Sequence, residues 1–167
     1  LDEEEDTLSE TARLAELLRQ AYDGEQEGGD AWHGPSLRML LAGVTAEHAA
    51  RRAVPSGHTV WELVLHIAVW DEICARRLRG ELIQATTGSP EDWPAVSGTG
   101  EADWQSAVAR LVRAQQELVE TVRGLPEAKL AETVPGRSWT NHLMIHGTLH
   151  HDLYHAGQIG LLRRATA

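Results

Sequence analysis

Apolar side chains recur along most of this chain at the spacing of helix faces, and no stretch reads as a convincing strand. Leu8, Ala12, Ala15, Leu18 and Ala21 form one stripe. They predict a first helix over residues 7–22, with Thr7 and Glu10 spaced as a capping box. Gly24, Gly28 and Gly29 end it and open a loop. After Trp32-His33-Gly34-Pro35-Ser36, a short helix runs through Leu37, Leu40 and Leu41, and a further turn covers residues 46–52. Pro55-Ser56-Gly57 is a break. Thr59 and Glu62 make a second capping box, heading a long helix that continues to about residue 79 and stops at Gly80. Residues 86–102, rich in Gly, Ser, Thr and Pro, read as a long connection with an irregular turn at Trp93-Pro94. A third long helix, residues 103–123, aligns Ala107, Leu111, Ala114, Leu118 and Val122 and stops at Gly124. Pro126 and Pro135-Gly136 bracket the next connection, and a fourth helix covers residues 140–164. Four long helices joined by loops with short helical pieces predict an all-α fold, a four-helix bundle. One domain is expected over residues 1–167, with residues 1–6 as a disordered tail.

Composition narrows the function classes. Lys and Arg total 15 against 25 Asp and Glu, a formal net charge of -10, which repels nucleic-acid phosphates. The small basic groups, Arg51-Arg52, Arg76-Arg77 with Arg79, and Arg163-Arg164, sit near expected helix ends, where cations offset the helix dipole. The single cysteine, Cys74, excludes an internal disulfide and a cysteine-based zinc site, and reads as a small buried side chain. No apolar run reaches the roughly 20 residues of a membrane span. The acidic string from Asp2 to Asp6 lacks the positive and then apolar pattern of a signal peptide, so a cytoplasmic protein is expected.

Nine histidines are many for this length, and five fall between His142 and His155. At about 3.6 residues per turn, His151 and His155 lie one above the other, sharing a face with Met144, Thr148, Gln158, Ile159 and Leu162. That face is apolar enough to point inward, and two imidazoles four residues apart can hold one metal ion. His142, His146 and His150 form a second ladder, which taken alone could also bind metal. Its fewer apolar companions make it mainly an exposed or interfacial face. His66 shares its face with Leu63, Val69, Trp70 and Ile73. The residues alone leave it open between a satisfied core histidine and a third ligand. His58 and His33 are weaker candidates.

The strings His66-Ile67-Ala68-Val69-Trp70 and His150-His151-Asp152-Leu153-Tyr154-His155-Ala156-Gly157-Gln158-Ile159 resemble the DinB/YfiT-like family of metalloenzymes. Trp32 to Ser36, Trp61-Glu62-Leu63 and Arg77-Leu78-Arg79-Gly80-Glu81 add to the match, which runs over about residues 32–164. The resemblance implies a DinB-like four-helix bundle, commonly dimeric, with one metal ion on His66, His151 and His155. It also implies relatives that act with low-molecular-weight thiols such as bacillithiol, mycothiol or glutathione, and others like maleylpyruvate isomerase.

Three neutral imidazoles leave a divalent ion an open position, where the pKa of a bound water or thiol falls. Imidazole suits several metals; zinc is expected first and nickel next. Glu62, one turn before His66, is either a proton acceptor at the site or only a helix cap. Gln158, three residues after His155, either hydrogen-bonds a metal ligand or sits as a satisfied buried amide. Tyr154 is placed at the pocket mouth, Trp70 in core or pocket wall, and Asp152 away from the metal, exposed or between helices. The strip Ile145, Leu149, Leu153, Ala156 and Gly160 packs on its own chain or, as the preferred account, on a second copy. The expected function is a metal-dependent enzyme acting on a small molecule, a thiol S-transferase or a hydrolase. The competing readings are a non-catalytic metal-binding stress-response protein with a structural ion, and a bundle whose histidines hold no metal.

Overall fold

Each long helix starts where a side chain closes free N–H groups of its first turn. The computed structural model describes residues 8–165, so Thr7 and the expected tail over residues 1–6 lie outside the described residues. Helix α1 (Glu10–Asp23) is capped by Ser9, whose Oγ accepts the Ala12 N–H at 3.2 Å. The start therefore falls later than expected. Leu8 lies before the helix and is exposed, while Thr11, Leu14 and Tyr22 join Ala15, Leu18 and Ala21 in the core. The chain leaves α1 through Gly24 at φ +87°, where a Cβ would stand 2.3 Å from the Gly29 carbonyl oxygen. Only glycine fits there.

Two short helices follow, α2 (Leu37–Leu41) and α3 (Ala46–Ala50). Helix α4 (Val60–Leu78) opens with the expected box: the Thr59 N–H donates to Glu62 Oε2 at 2.8 Å, and the Glu62 N–H to Thr59 Oγ1 at 3.1 Å. Asp103 Oδ2 closes the head of α5 (Glu101–Arg123) by accepting the Gly100 N–H at 3.0 Å. Thr140 Oγ1 does the same for α6 (Asn141–Ala165), accepting the Leu143 N–H at 3.2 Å. The expected α5 stripe is buried throughout. One feature departs from the all-helical reading: Asp30–Ala31 (β1) pairs antiparallel with Gly34–Pro35 (β2). At two residues per strand it leaves the class all-α. Among the described residues, no helix is long and apolar enough to cross a membrane.

Helices α5 and α6 both pack on α4 and on α1, so α1 and α4 occupy opposite corners of the bundle. The core divides into two apolar clusters. One gathers Trp61, Val64 and Ile67 of α4 with Trp104, Leu111 and Ile159. The other gathers Leu14, Leu18, Cys74, Leu118, Val122 and Ile145. Between them lies a buried polar layer of Asp71, Gln115 and Asp152, contributed by α4, α5 and α6. The Gln115 Nε2 donates to Asp71 Oδ2 at 2.7 Å and to Asp152 Oδ2 at 2.8 Å. Asp152 is thus a contact between helices and not an exposed residue. Burial, then the neighbouring Asp152 charge, pushes the Asp71 carboxyl well above its ordinary range, and burial raises Asp152 as well.

The second apolar strip of α6 is largely used within the chain. Ile145 and Ala156 are buried, Leu149 packs on the second cluster, and Gly160 abuts Leu40. What α6 leaves outside is a different line: Leu143, Gly147, His150, Tyr154, Gly157 and Leu161 are all exposed.

The raised Asp71 pKa sets a sign for stability against pH. The folded chain keeps a proton that the unfolded chain loses near the ordinary value of 3.8, so stability falls as pH rises between those two values. Asp71→Asn, which mimics the protonated side chain, should lessen that fall. Urea unfolding of the metal-free protein at several pH values should show the variant gaining on the wild type as pH rises; parallel curves would contradict the assignment.

Candidate metal centre

His66 lies on the buried face of α4, and His151 and His155 lie one turn apart on α6, the helix packed beside it. The bundle brings them together. Their ligand nitrogens all fall within 4.8 Å of one another. Ring centroids are 4.5 Å apart for His151 and His155, 4.7 Å for His66 and His155, and 4.9 Å for His66 and His151.

The outward nitrogen of each ring faces an oxygen. His66 Nδ1 lies 2.5 Å from the carbonyl oxygen of Asp92, His155 Nδ1 lies 2.9 Å from Gln158 Oε1, and His151 Nδ1 lies 3.3 Å from Asp152 Oδ1. An oxygen acceptor calls for N–H on that side, which leaves each Nε2 with a bare lone pair. The Nε2 atoms of His66 and His151 then face each other at 2.9 Å. Two lone pairs at that distance repel unless a cation stands between them or beside them. The donor set therefore fits a divalent ion, with three neutral imidazoles and, among the described residues, no fourth side chain in the cluster.

Burial keeps the rings of His155 and His66 neutral. Burial pushes His155 down to about 4, and the neighbouring His151 and His66 add to the effect against the Gln158 hydrogen bond. His66 is lowered by burial first, partly offset by the Asp92 carbonyl. Neutral imidazole is the form that ligates, so little proton release is needed on binding at neutral pH.

Several contributors were not legible in the sequence. Asp92, in the connection between α4 and α5, is buried. Its carbonyl holds His66, its Oδ1 accepts the Trp70 Nε1–H at 2.8 Å, and its Oδ2 accepts the Gly88 N–H at 2.8 Å. Trp93 beside it stacks on His66 with centroids 3.8 Å apart and planes 8° from parallel, and also on His58 at 3.4 Å. A Gly- and Pro-rich loop gives no periodicity from which such packing can be read.

The site opens into a cavity of about 740 Å³, walled by Trp70, Trp93, Trp139, Leu143, Met144 and Tyr154 among others. Trp70 is pocket wall and Tyr154, 66% exposed, stands at the mouth. Cys74 also borders the cavity, but burial pushes its thiol up to about 12, so it is no ready nucleophile. Arg77 is a buried cation on the same wall. It donates from Nη2 to the carbonyls of Ile83 at 2.9 Å and Ala85 at 2.6 Å, and among the described residues its Nε has no partner and it forms no ion pair. Its Cζ lies 5.9 Å from the Trp70 ring, which also neighbours His151 at 6.2 Å and His66 at 6.4 Å.

The two accessory candidates part company. Gln158 lies in the cavity and holds His155. Glu62 gives one oxygen to its helix cap and the other to Arg52 Nη2 at 2.7 Å, and it does not border the cavity. His33 is exposed. Among the second ladder, His142 and His146 are half-buried and His150 is exposed.

A family model for the DinB superfamily matches residues 31–159, a span that contains all three clustered histidines. No curated protein and no solved structure matches significantly.

Because Gln158 sets the tautomer of His155, Gln158→Leu should weaken metal affinity about 10- to 100-fold. Competition against a chromophoric chelator measures this. Unchanged affinity would mean that the amide serves packing only.

Proposed function

The chain belongs to the DinB superfamily, and from that premise we propose that it is a metal-dependent enzyme, a thiol S-transferase in first place and a hydrolase in second. The observation that carries this reading is the three-histidine cluster opening onto a cavity of about 740 Å³. An ion meant only to hold the bundle together has no need of such an opening, which is why the non-catalytic alternative ranks below. His66, His151 and His155 would hold one divalent ion, zinc before nickel. Bound there, it supplies a Lewis acid that lowers the pKa of a water or a low-molecular-weight thiol.

The chain's own residues do the rest. The Asp92 carbonyl, Asp152 and Gln158 hold the three rings with their Nε2 atoms turned inward. Trp70, Trp93 and Trp139 give the cavity aromatic walls that exclude water and take an apolar body. Arg77, a cation without a carboxylate partner among the described residues, favours a substrate or thiol that carries an anionic group at the end away from the histidines. A small molecule with an apolar middle and an acidic end fits this lining.

Purified protein should carry one interior ion, absent from His66→Ala, His151→Ala and His155→Ala. A panel of bacillithiol, mycothiol and glutathione against electrophilic acceptors should then show turnover that these variants lack. Metal retained in all three variants would end the reading; metal lost but no turnover with any thiol or ester would move it to the structural alternative.

A homodimer and a cytoplasmic setting belong to the same proposal. The exposed line on α6, with Leu143, Tyr154 and Leu161 spaced by Gly147 and Gly157, supports a helix from a second copy packing close. Because Leu143, Gly147 and Tyr154 also border the cavity, that copy would narrow its mouth. Light scattering should give twice the chain mass of 18.4 kDa, with Leu161→Asp shifting it toward the monomer. A monomer at micromolar concentration would count against the dimer.

A further inference from the structure

We propose a second divalent-metal site on the surface, formed by Glu10 of α1 with His142 and His146 of α6. Their ligand atoms all lie within 4.8 Å of one another. His142 Nε2 is 3.6 Å from Glu10 Oε1, and the two imidazole rings, four residues apart on α6, have centroids 4.6 Å apart. His150 continues the ladder, its ring 6.2 Å from that of His146. Spacing along α6 alone makes this ladder mainly an exposed or interfacial face; the bundle adds a ligand from elsewhere in the chain, Glu10.

Among the described residues, none of the three groups is otherwise well satisfied. The contact between His142 and Glu10 is longer than a hydrogen bond, and among the described residues Glu10 Oε2 meets only Arg13 Nη1, at 3.7 Å. A second carboxylate, Glu127, is close by, accepting the Glu10 backbone N–H at 2.7 Å, so the local field favours a cation. Burial and the neighbouring His142 and His150 lower the His146 pKa, keeping its lone pair free at neutral pH. Around a tetrahedral ion with bonds of roughly 2.0–2.1 Å, ligand atoms stand about 3.3 Å apart. Closing from the present spacing asks only for rotation of side chains that are 45% exposed at His142 and 39% at Glu10.

Two imidazoles and one carboxylate select a borderline transition ion, zinc, nickel or copper, over calcium or magnesium, which prefer oxygen. The site differs from the interior triad in position and in consequence. It ties the start of α1 to α6, the least extensive of the four contacts between neighbouring long helices. Glu10 also lies outside residues 31–159, so the ligand set is completed by a segment that the family match does not include. An ion here is a clasp between the first and last helices.

Calorimetric titration of the metal-free full chain with zinc tests this. The wild type should bind two ions per chain, His142→Ala/His146→Ala one, and His151→Ala one. Glu10→Gln should weaken the surface ion at least tenfold. Zinc should still raise the Tm of His151→Ala, and not that of the variant lacking both His142 and His146; magnesium should raise neither. Melting curves of the metal-free variants establish that each folds. If the wild type binds a single ion that disappears with His151→Ala, or if the variant lacking His142 and His146 binds as many ions as the wild type, the site is overturned. A single ion kept in His151→Ala and lost with His142 and His146 would uphold this site and remove the interior one.

Discussion

Three imidazole lone pairs aimed at one point in the interior are the constraint on which the rest of this structure depends. Such a convergence is unfavourable by itself. The Nε2 atoms of His66 and His151 stand 2.9 Å apart, and in each ring the other nitrogen already faces an oxygen. A fold keeps groups in that arrangement only where surrounding contacts over-determine it, and here they do. Each ring is held by a different part of the chain: a loop carbonyl, a carboxylate from the polar layer, and an amide one turn along the same helix.

The polar layer gives the constraint its depth. Asp71, Gln115 and Asp152 interrupt the apolar core at one level and tie α4, α5 and α6 to one another. Since Asp152 also meets His151, the relative position of those helices and the orientation of a metal ligand share one network. Two buried carboxyls joined by one amide are costly, as the raised Asp71 pKa shows. Burial of Leu, Val, Ile and Trp in the clusters on either side offsets that cost. The function proposed here needs the same rigidity, because a ligand that drifts by an ångström no longer shares an ion with its partners.

Particular residues show why some of this could be read in advance and some could not. The Thr59 and Glu62 box, the α5 stripe and the inward pair His151 and His155 are local matters, decided by spacing along one helix, and they appear as expected. Asp152 stayed open between solvent and a neighbouring helix for the same reason that His151 was placed well. Reading a single helix as a cylinder gives each side chain a direction but says nothing of the neighbour it meets, and α5 turned out to present Gln115 there. Ser9 caps α1, and only the path of the chain decides which of several suitable residues takes that position.

By itself the sequence determined what depends on neighbours within a few residues: four long helices, their stops, which histidines share a face, and the family strings that join His66 to the pair. Tertiary structure alone decided what depends on residues far apart in the chain. Gln115 reaches Asp71 and Asp152, the Asp92 carbonyl lies against His66 from across a loop, Arg77 is stranded on a cavity wall, and Glu10 stands beside His142. The physical reason is that helical periodicity fixes angles around an axis, whereas the distance between axes, and so every contact between helices, is set by how all the side chains pack at once.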